Sequence, residues 1–281
     1  MKILFSSKCL EYRQPGHPES PERAGQTHNF LKGKFDFIEP QLCSENDILL
    51  VHSEELLERV KSGNFHDPDT PNLQDMYDYA RLAAGSAIQS AELALKGEEA
   101  FSLMRPPGHH AGRNSLGGFC YFNNIAIAVA KSLKNVDKVA VIDVDCHHGN
   151  GSQDIFIGNE KILYISLHQS PLYPGTGLVS EKNCFNYPLP AGTEEKEYLK
   201  TLENALKNAK KFNPDLIGIS AGFDTYKEDP LTGLELEKQT YRKIGEMIAG
   251  METPSFAVLE GGYSKDMPQC VYEFLRGYSR K

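Results

Sequence analysis

KVAVIDVDCHHGNG, residues 138–151, sets an unbroken run of β-branched and apolar residues directly before two aspartates, two consecutive histidines and a glycine-rich turn. A run this continuous reads as a strand covered on both faces, as parallel strands of α/β proteins are. Its polar residues fall where the strand ends. The same arrangement recurs along the chain. Strand-like runs at 2–7, 100–104, 162–168, 215–224 and 255–263 are separated by segments with helical spacing at 77–97, 123–135 and 196–212. The last of these closes in a basic turn before Asn213 and Pro214, a helix stop. This alternation predicts an α/β fold of parallel strands joined by crossover helices. One domain over residues 1–281 is expected, since no repeat, low-complexity tract or flexible linker divides the chain.

Composition narrows the class of function. Hydrophobic residues at 40%, with 14 Phe and 13 Tyr, supply a large core and argue against disorder. The 30 basic and 38 acidic residues leave a formal charge of −8 without a basic stripe, which excludes a phosphate backbone as partner and suits neutral or cationic substrates. Six cysteines lie scattered without CxxC spacing, and the N-terminal apolar run is too short for a signal peptide. Reduced thiols and a cytoplasmic location are expected, with no membrane partner, because no apolar stretch approaches the ~20 residues that cross a bilayer.

The unusual polar residues cluster at strand ends. RPPGHH follows 100–104, DCHHGNG follows 138–144, Phe223 and Asp224 close 215–224, and GGY closes 255–263. Ligand crevices of open α/β sheets lie outside the carboxyl ends of the strands, so four remote segments are expected to meet at one edge. With the strand extended through DVDCHH, Asp143, Asp145 and His147 share one side while Val144 and Cys146 turn to the other, which makes Cys146 a core residue. Asp145 and His147 with Asp224 then offer a facial set for zinc that leaves one position open, as hydrolysis requires. Helix capping by the aspartates is the ordinary alternative. It leaves two histidine pairs at neighbouring strand ends without a reason. For His109 and His110, Asp143 and Asn150 are available as partners, one for each imidazole; such a dyad supplies a general base for water and later an acid for a departing amine. Tyr263, after two glycines, is placed to donate to a developing oxyanion.

RPPGHHA (105–111), GGFCYFNN (117–124), VIDVDCHHGNGSQDIF (141–156), ISLHQSPLYPGTG (165–177), SAGFDTYKEDPL (220–231) and LEGGYS (259–264) together resemble the zinc-dependent histone deacetylase family, including bacterial and archaeal relatives such as acetylpolyamine amidohydrolases. The motifs stand in family order from HPESPERA (17–24) to Tyr263. The resemblance implies an arginase/deacetylase-like three-layer α/β/α fold with a parallel sheet of about eight strands. It also implies Asp145, His147 and Asp224 as zinc ligands, His110 as general base and acid, His109 with Asp143 as a neighbouring electrostatic dyad, and Tyr263 as the group that polarises the carbonyl. Gly118, Phe119, Tyr173 and Leu231 match substrate-channel positions, and Arg23 matches an arginine beside an internal cavity. Potassium is implied at backbone oxygens of Asp143, Asp145, His147, Ser166 and Leu167.

Two positions set this chain apart from parts of that family. Asn150 stands where many members carry aspartate, as in the class II-like branch, and Leu231 stands where eukaryotic polyamine deacetylases carry glutamate. Asp67, Asp69 and Glu228 are the acids available at the rim. The expected activity is hydrolysis of an acylated lysine side chain or a small acylated amine. An acetylpolyamine amidohydrolase is the nearest alternative; a binuclear ureohydrolase and a non-catalytic acyl-lysine binder are more remote. Oligomeric state is left open.

Overall fold

The computed structural model describes residues 1–279. Eight strands form one sheet: β1 (Lys2–Leu4), β2 (Asp36–Ile38), β3 (Ala100–Ser102), β4 (Val139–Asp143), β5 (Ile162–Gln169), β6 (Cys184–Leu189), β7 (Leu216–Ala221) and β8 (Ser255–Leu259). Their order is β2-β1-β3-β8-β7-β4-β5-β6, and every pairing is parallel. The α-helices described are α1 (Pro21–Leu31), α2 (Glu45–Ile48), α3 (Glu54–Ser62), α4 (Met76–Leu95), α5 (Asn124–Ser132), α6 (Asn150–Phe156), α7 (Glu195–Phe212), α8 (Lys238–Ala249) and α9 (Met267–Tyr278).

Strand alternation divides the core in two. Ala140 and Ile142 of β4 pack with α1, α7, α8 and α9, while Val139 and Val141 pack with α3, α4 and α5 on the opposite face. A strand whose residues all lie beneath one helical layer or the other has little room for polar groups; all five residues of β4 are buried, and its one polar residue, Asp143, is the last. The polar run therefore begins only where the sheet stops.

The strand order gives that boundary its meaning. β3, β8, β7 and β4 are neighbours in the sheet although residues 103–138 and 144–215 separate them in the chain. The segments carrying His109 and His110, Tyr263, Asp224, and Asp145 with His147 thus leave adjacent strands at the same edge. The three helices expected from spacing are present with ends shifted by at most three residues. Asn213 closes α7 with φ 55°, the left-handed cap expected of Asn before Pro214.

Two features differ from expectation. β2 and β6 are edge strands; β6 carries Asn186 and Pro188, and β2 is only three residues long with none of them buried, so neither makes a continuous apolar run. β4 also ends at Asp143 rather than staying extended through His147. The Asp143 and Asp145 carboxylates accept the N–H groups two residues on, at 3.2 and 2.9 Å, which bends the chain at the point where alternation would have continued.

The N-terminal segment is fastened to the end of β3 by a buried ion pair. Arg105 donates to both carboxylate oxygens of Glu19, at 2.5 and 2.7 Å, and to the Cys9 carbonyl at 2.5 Å, while its guanidinium lies 4.0 Å from the centre of the Tyr12 ring. Removing one member of such a pair strands the other charge in the core. Arg105→Ala should therefore cost about 3–5 kcal/mol, and adding Glu19→Ala should cost less than the sum of the two single changes. Urea unfolding of the single and double variants checks this; additive losses would mean the charges are not coupled.

Candidate active site

Asp145, His147 and Asp224 form the one three-residue group among the described residues that could hold a metal ion, with one donor atom from each lying within 4.8 Å of the others. His147 Nδ1 is 3.2 Å from Asp145 Oδ1 and 2.9 Å from Asp224 Oδ2. Backbone amides hold both acids in place: Gly261 N–H donates to Asp145 Oδ2 at 2.7 Å, and Cys146 N–H to Asp224 Oδ1 at 2.8 Å. Both carboxylates are fully buried. Burial and the adjacent Asp145 charge push the Asp224 carboxyl above the ordinary carboxylate range. Two carboxylates and an imidazole nitrogen, oriented by main-chain donors in a site where both acids cannot comfortably be anionic, fit a divalent cation such as zinc. The Cys146 side chain lies in the core, with Sγ 3.8 Å from Gln169 Oε1, and is no part of this group.

The tandem histidines have different environments. His109 Nδ1 lies 3.1 Å from Asp143 Oδ2, and Nε2 lies 3.8 Å from Asp145 Oδ1. Burial opposes its charged form, but the Asp145 and Asp143 carboxylates outweigh it and push His109 up to about 10. His110 is lowered well below the ordinary value by burial and by the neighbouring His109 and His147. Its Nδ1 lies 2.7 Å from Asn150 Oδ1. An amide oxygen only accepts, so Nδ1 carries the proton and Nε2 keeps its lone pair. Of the two partners open from sequence, Asp143 serves His109 and Asn150 serves His110.

These groups border a cleft of about 240 Å³ whose walls include Gly118, Phe119, Leu172, Tyr173, Leu231 and Tyr263, with His109, His110, His147 and Asp69 also lining it. Of the candidate rim acids Asp67, Asp69 and Glu228, it is Asp69 that lines the cleft. Gly118 is required where it stands: its φ is +55°, and a Cβ would come within 2.5 Å of His110 Cδ2. Tyr263 is set by its neighbours, since its N–H donates to Asp229 Oδ2 at 2.6 Å and its ring lies 4.6 Å from the Arg23 guanidinium. Arg23 is buried; it donates to the carbonyls of Gly262 at 2.6 Å and Glu260 at 2.5 Å, so it is no surface ion pair. At the end of β4, Asp143 is the register partner of Ser166 within β5.

Four residues here escaped the sequence reading as parts of the site. Glu260, fully buried, accepts the N–H groups of Gly108 and His109 at 2.7 and 3.1 Å and the Ser220 hydroxyl at 3.1 Å, which ties the histidine loop to the end of β8. Burial pushes its carboxyl up to about 7 against the opposing charge of His109. Tyr164 donates to Asp143 Oδ2 at 2.8 Å, and Asp229 accepts from both Tyr263 and Leu231. Glu19 anchors Arg23 at 3.1 Å. The signal for Glu260 and Tyr164 was present: each interrupts or ends an apolar strand run with a group that must find a partner once buried.

A model described as the histone deacetylase domain matches residues 17–277. The chain belongs to the histone deacetylase family. It is 39% identical over 290 residues to a probable deacetylase of Archaeoglobus fulgidus, covering 93% of this chain and 81% of that one. It is 35% identical to the histone deacetylase-like amidohydrolase of Pseudomonas aeruginosa, covering 93% and 77%. Among solved structures, an acetylpolyamine aminohydrolase from Burkholderia pseudomallei superposes with a TM-score of 0.93 at 26% identity, over 99% of this chain and 98% of that one. The eight-stranded parallel sheet is the fold of this deacetylase family, and the protein is a hydrolytic deacetylase acting on acyl amides. None of the helices described is long and apolar enough to cross a membrane.

The Asn150 contact gives this family member a pH signature. Asn150→Asp places a carboxylate against the Nδ1–H of His110 and favours the imidazolium, so the His110 pKa should rise. A base is lost by protonation, so the acid limb of the kcat/KM profile should move to higher pH. Coincident pH–rate curves for parent and variant would remove the link.

Proposed function

We propose that the protein is a zinc-dependent hydrolase of the amide bond in acyl-lysine side chains or small acylated amines, releasing acetate or another short carboxylate. The observation that carries this reading is the convergence at one cleft of a three-donor metal group, an imidazole with a free nitrogen lone pair and a phenol. Asp145, His147 and Asp224 would hold the ion. When bound, zinc supplies Lewis acidity, polarising an acyl carbonyl and making water a nucleophile at neutral pH.

The remaining chemistry belongs to the chain. His110 Nε2 takes the proton of the attacking water and returns it to the nitrogen of the departing amine; its low basicity suits that return. His109, whose Nδ1 lies against Asp143, is the more basic of the two histidines and supports positive charge beside the reacting centre. The Tyr263 hydroxyl donates to the oxyanion as the carbonyl becomes tetrahedral; burial keeps the phenol protonated, well above its ordinary range. Phe119 and Tyr173 wall the approach, Gly118 brings main chain close to the substrate amide, and Leu231 forms an apolar part of the mouth. The small volume of the cleft favours a slim unbranched chain behind the acyl group. Potassium is assigned to backbone oxygens of Asp143, Asp145, His147, Ser166 and Leu167, a placement supported by the pairing of Asp143 with Ser166.

Among the substrates, Asp69 at the cleft favours an amine that bears a further positive charge or an N–H near the mouth, while Leu231 removes one reason to prefer a polycation. Turnover of an acetyl-lysine peptide and of N-acetylputrescine should both be measurable, should vanish with chelator and should return with zinc. Tyr263→Phe should lower kcat by about 10²–10³-fold with a smaller change in KM. Acyl release that survives exhaustive chelation, or two manganese ions per chain by metal analysis, would point to a different enzyme.

A further inference from the structure

Gly118 and Phe119 form the tip of a two-residue loop, across which Gly117 and Cys120 exchange backbone hydrogen bonds of 3.1 and 3.0 Å. Both tip residues have positive φ, +55° for Gly118 and +70° for Phe119. This is the pattern of a type I′ turn, whose second central position ordinarily goes to glycine. An aromatic residue placed there is strained, and strain of this kind persists only where the surroundings hold it.

Besides the Tyr263 ring, which lies edge-on with centroids 5.8 Å apart, Phe119 is held by residues that take no part in the chemistry. Its N–H donates to the hydroxyl of buried Thr70 at 3.0 Å. The His17 ring packs edge-on against it, with centroids 4.7 Å apart and planes at 76°. His17 also reaches the rim. The Glu19 N–H donates to His17 Nδ1 at 3.1 Å, so Nδ1 is the lone-pair nitrogen and Nε2–H donates to the Asp69 carbonyl at 3.1 Å. Tyr121 fixes the other side of Thr70 by donating to the Pro71 carbonyl. One histidine and one threonine thus tie the rim segment and the strained wall to the N-terminal segment, which Arg105 and Arg23 lock through Glu19.

We propose that His17 and Thr70 are specificity-determining positioning residues: by holding Phe119 in its left-handed conformation and Asp69 at the rim, they set the bore of the channel and select an unbranched chain behind the acyl group. The proposal rests on the amide-hydrolase reading above. Loss of either tether lets Phe119 relax toward negative φ, which withdraws its ring from the wall and admits wider chains. The reacting groups at the channel floor are not touched by either residue.

The test compares kcat and KM for an acetyl-lysine tripeptide with those for its analogue bearing a methyl branch in the side chain. Thr70→Val keeps the shape and removes the acceptor; Thr70→Ser keeps the acceptor; His17→Phe keeps the ring and removes the donor. The preference for the unbranched substrate should fall about fivefold in Thr70→Val and in His17→Phe, through KM more than kcat, and should return in Thr70→Ser. An unchanged preference in a variant that melts within a few degrees of the parent would overturn the proposal, as would equal losses on both substrates. If Thr70→Val melts early, the partly exposed His17 position decides by the same ratio. A zinc-loaded parent that hydrolyses neither substrate would remove the functional reading itself, and this proposal with it.

Discussion

Asp145 and Asp224 bring two carboxylates together at the buried carboxyl edge of the sheet, and most of the surrounding structure answers that concentration of charge. Each carboxylate accepts a backbone N–H, His147 lies against both, and His109 Nε2 lies 3.8 Å from Asp145. Acids so crowded and so dry are costly to keep ionised, as the rise of Asp224 toward neutral pH indicates. Stability alone gives no reason to build such a group. A cation-binding site does, because cation and carboxylates each relieve the desolvation of the other.

The support around this group lies in loops rather than in the sheet. The four loops leave neighbouring strands, but a strand end fixes only where a loop starts. Glu260 fixes the histidine loop from the end of β8, and Arg23 grips the Glu260 and Gly262 carbonyls, so the tandem histidines and the Tyr263 segment are referred to one short stretch of chain. Asp229 then joins Tyr263 to Leu231 at the channel mouth. Buried charges are expensive as structural elements. Here Arg23, Arg105 and Glu260 hold main-chain atoms of loops that no helix or sheet ladder could reach, and the Glu19 carboxylate holds the two arginines.

Legibility of the fold in the sequence follows from burial. β4, β5, β7 and β8 lie beneath helices on both sides, so their continuous apolar runs stand out and the polar residues after them become conspicuous. β2 and β6, at the edges, carry no such mark. In the site, residues that sit beside one another in the chain, such as His109 with His110 or Asp145 with His147, could be read together. Glu19 could not, because its meaning lies in Arg105, 86 residues away, and neither neighbourhood hints at the other. The bend after Asp143 was illegible for a different reason: alternation assumes an extended chain, and nothing in the spacing shows that the Asp143 and Asp145 carboxylates accept backbone N–H groups two residues on.

The two consecutive histidines show how far position alone can divide identical side chains. Adjacent residues with ring centroids 4.0 Å apart would, if equally basic, repel each other's charge and titrate as a blurred pair. Asp143 on one side and Asn150 on the other break that symmetry, since a carboxylate favours the imidazolium and an amide does not. Once His109 is cationic, its charge further depresses His110, so the division reinforces itself. A single amide in place of a carboxylate therefore acts on His110 through its own hydrogen bond, and the neighbouring His109 pushes the same imidazole further toward its neutral form.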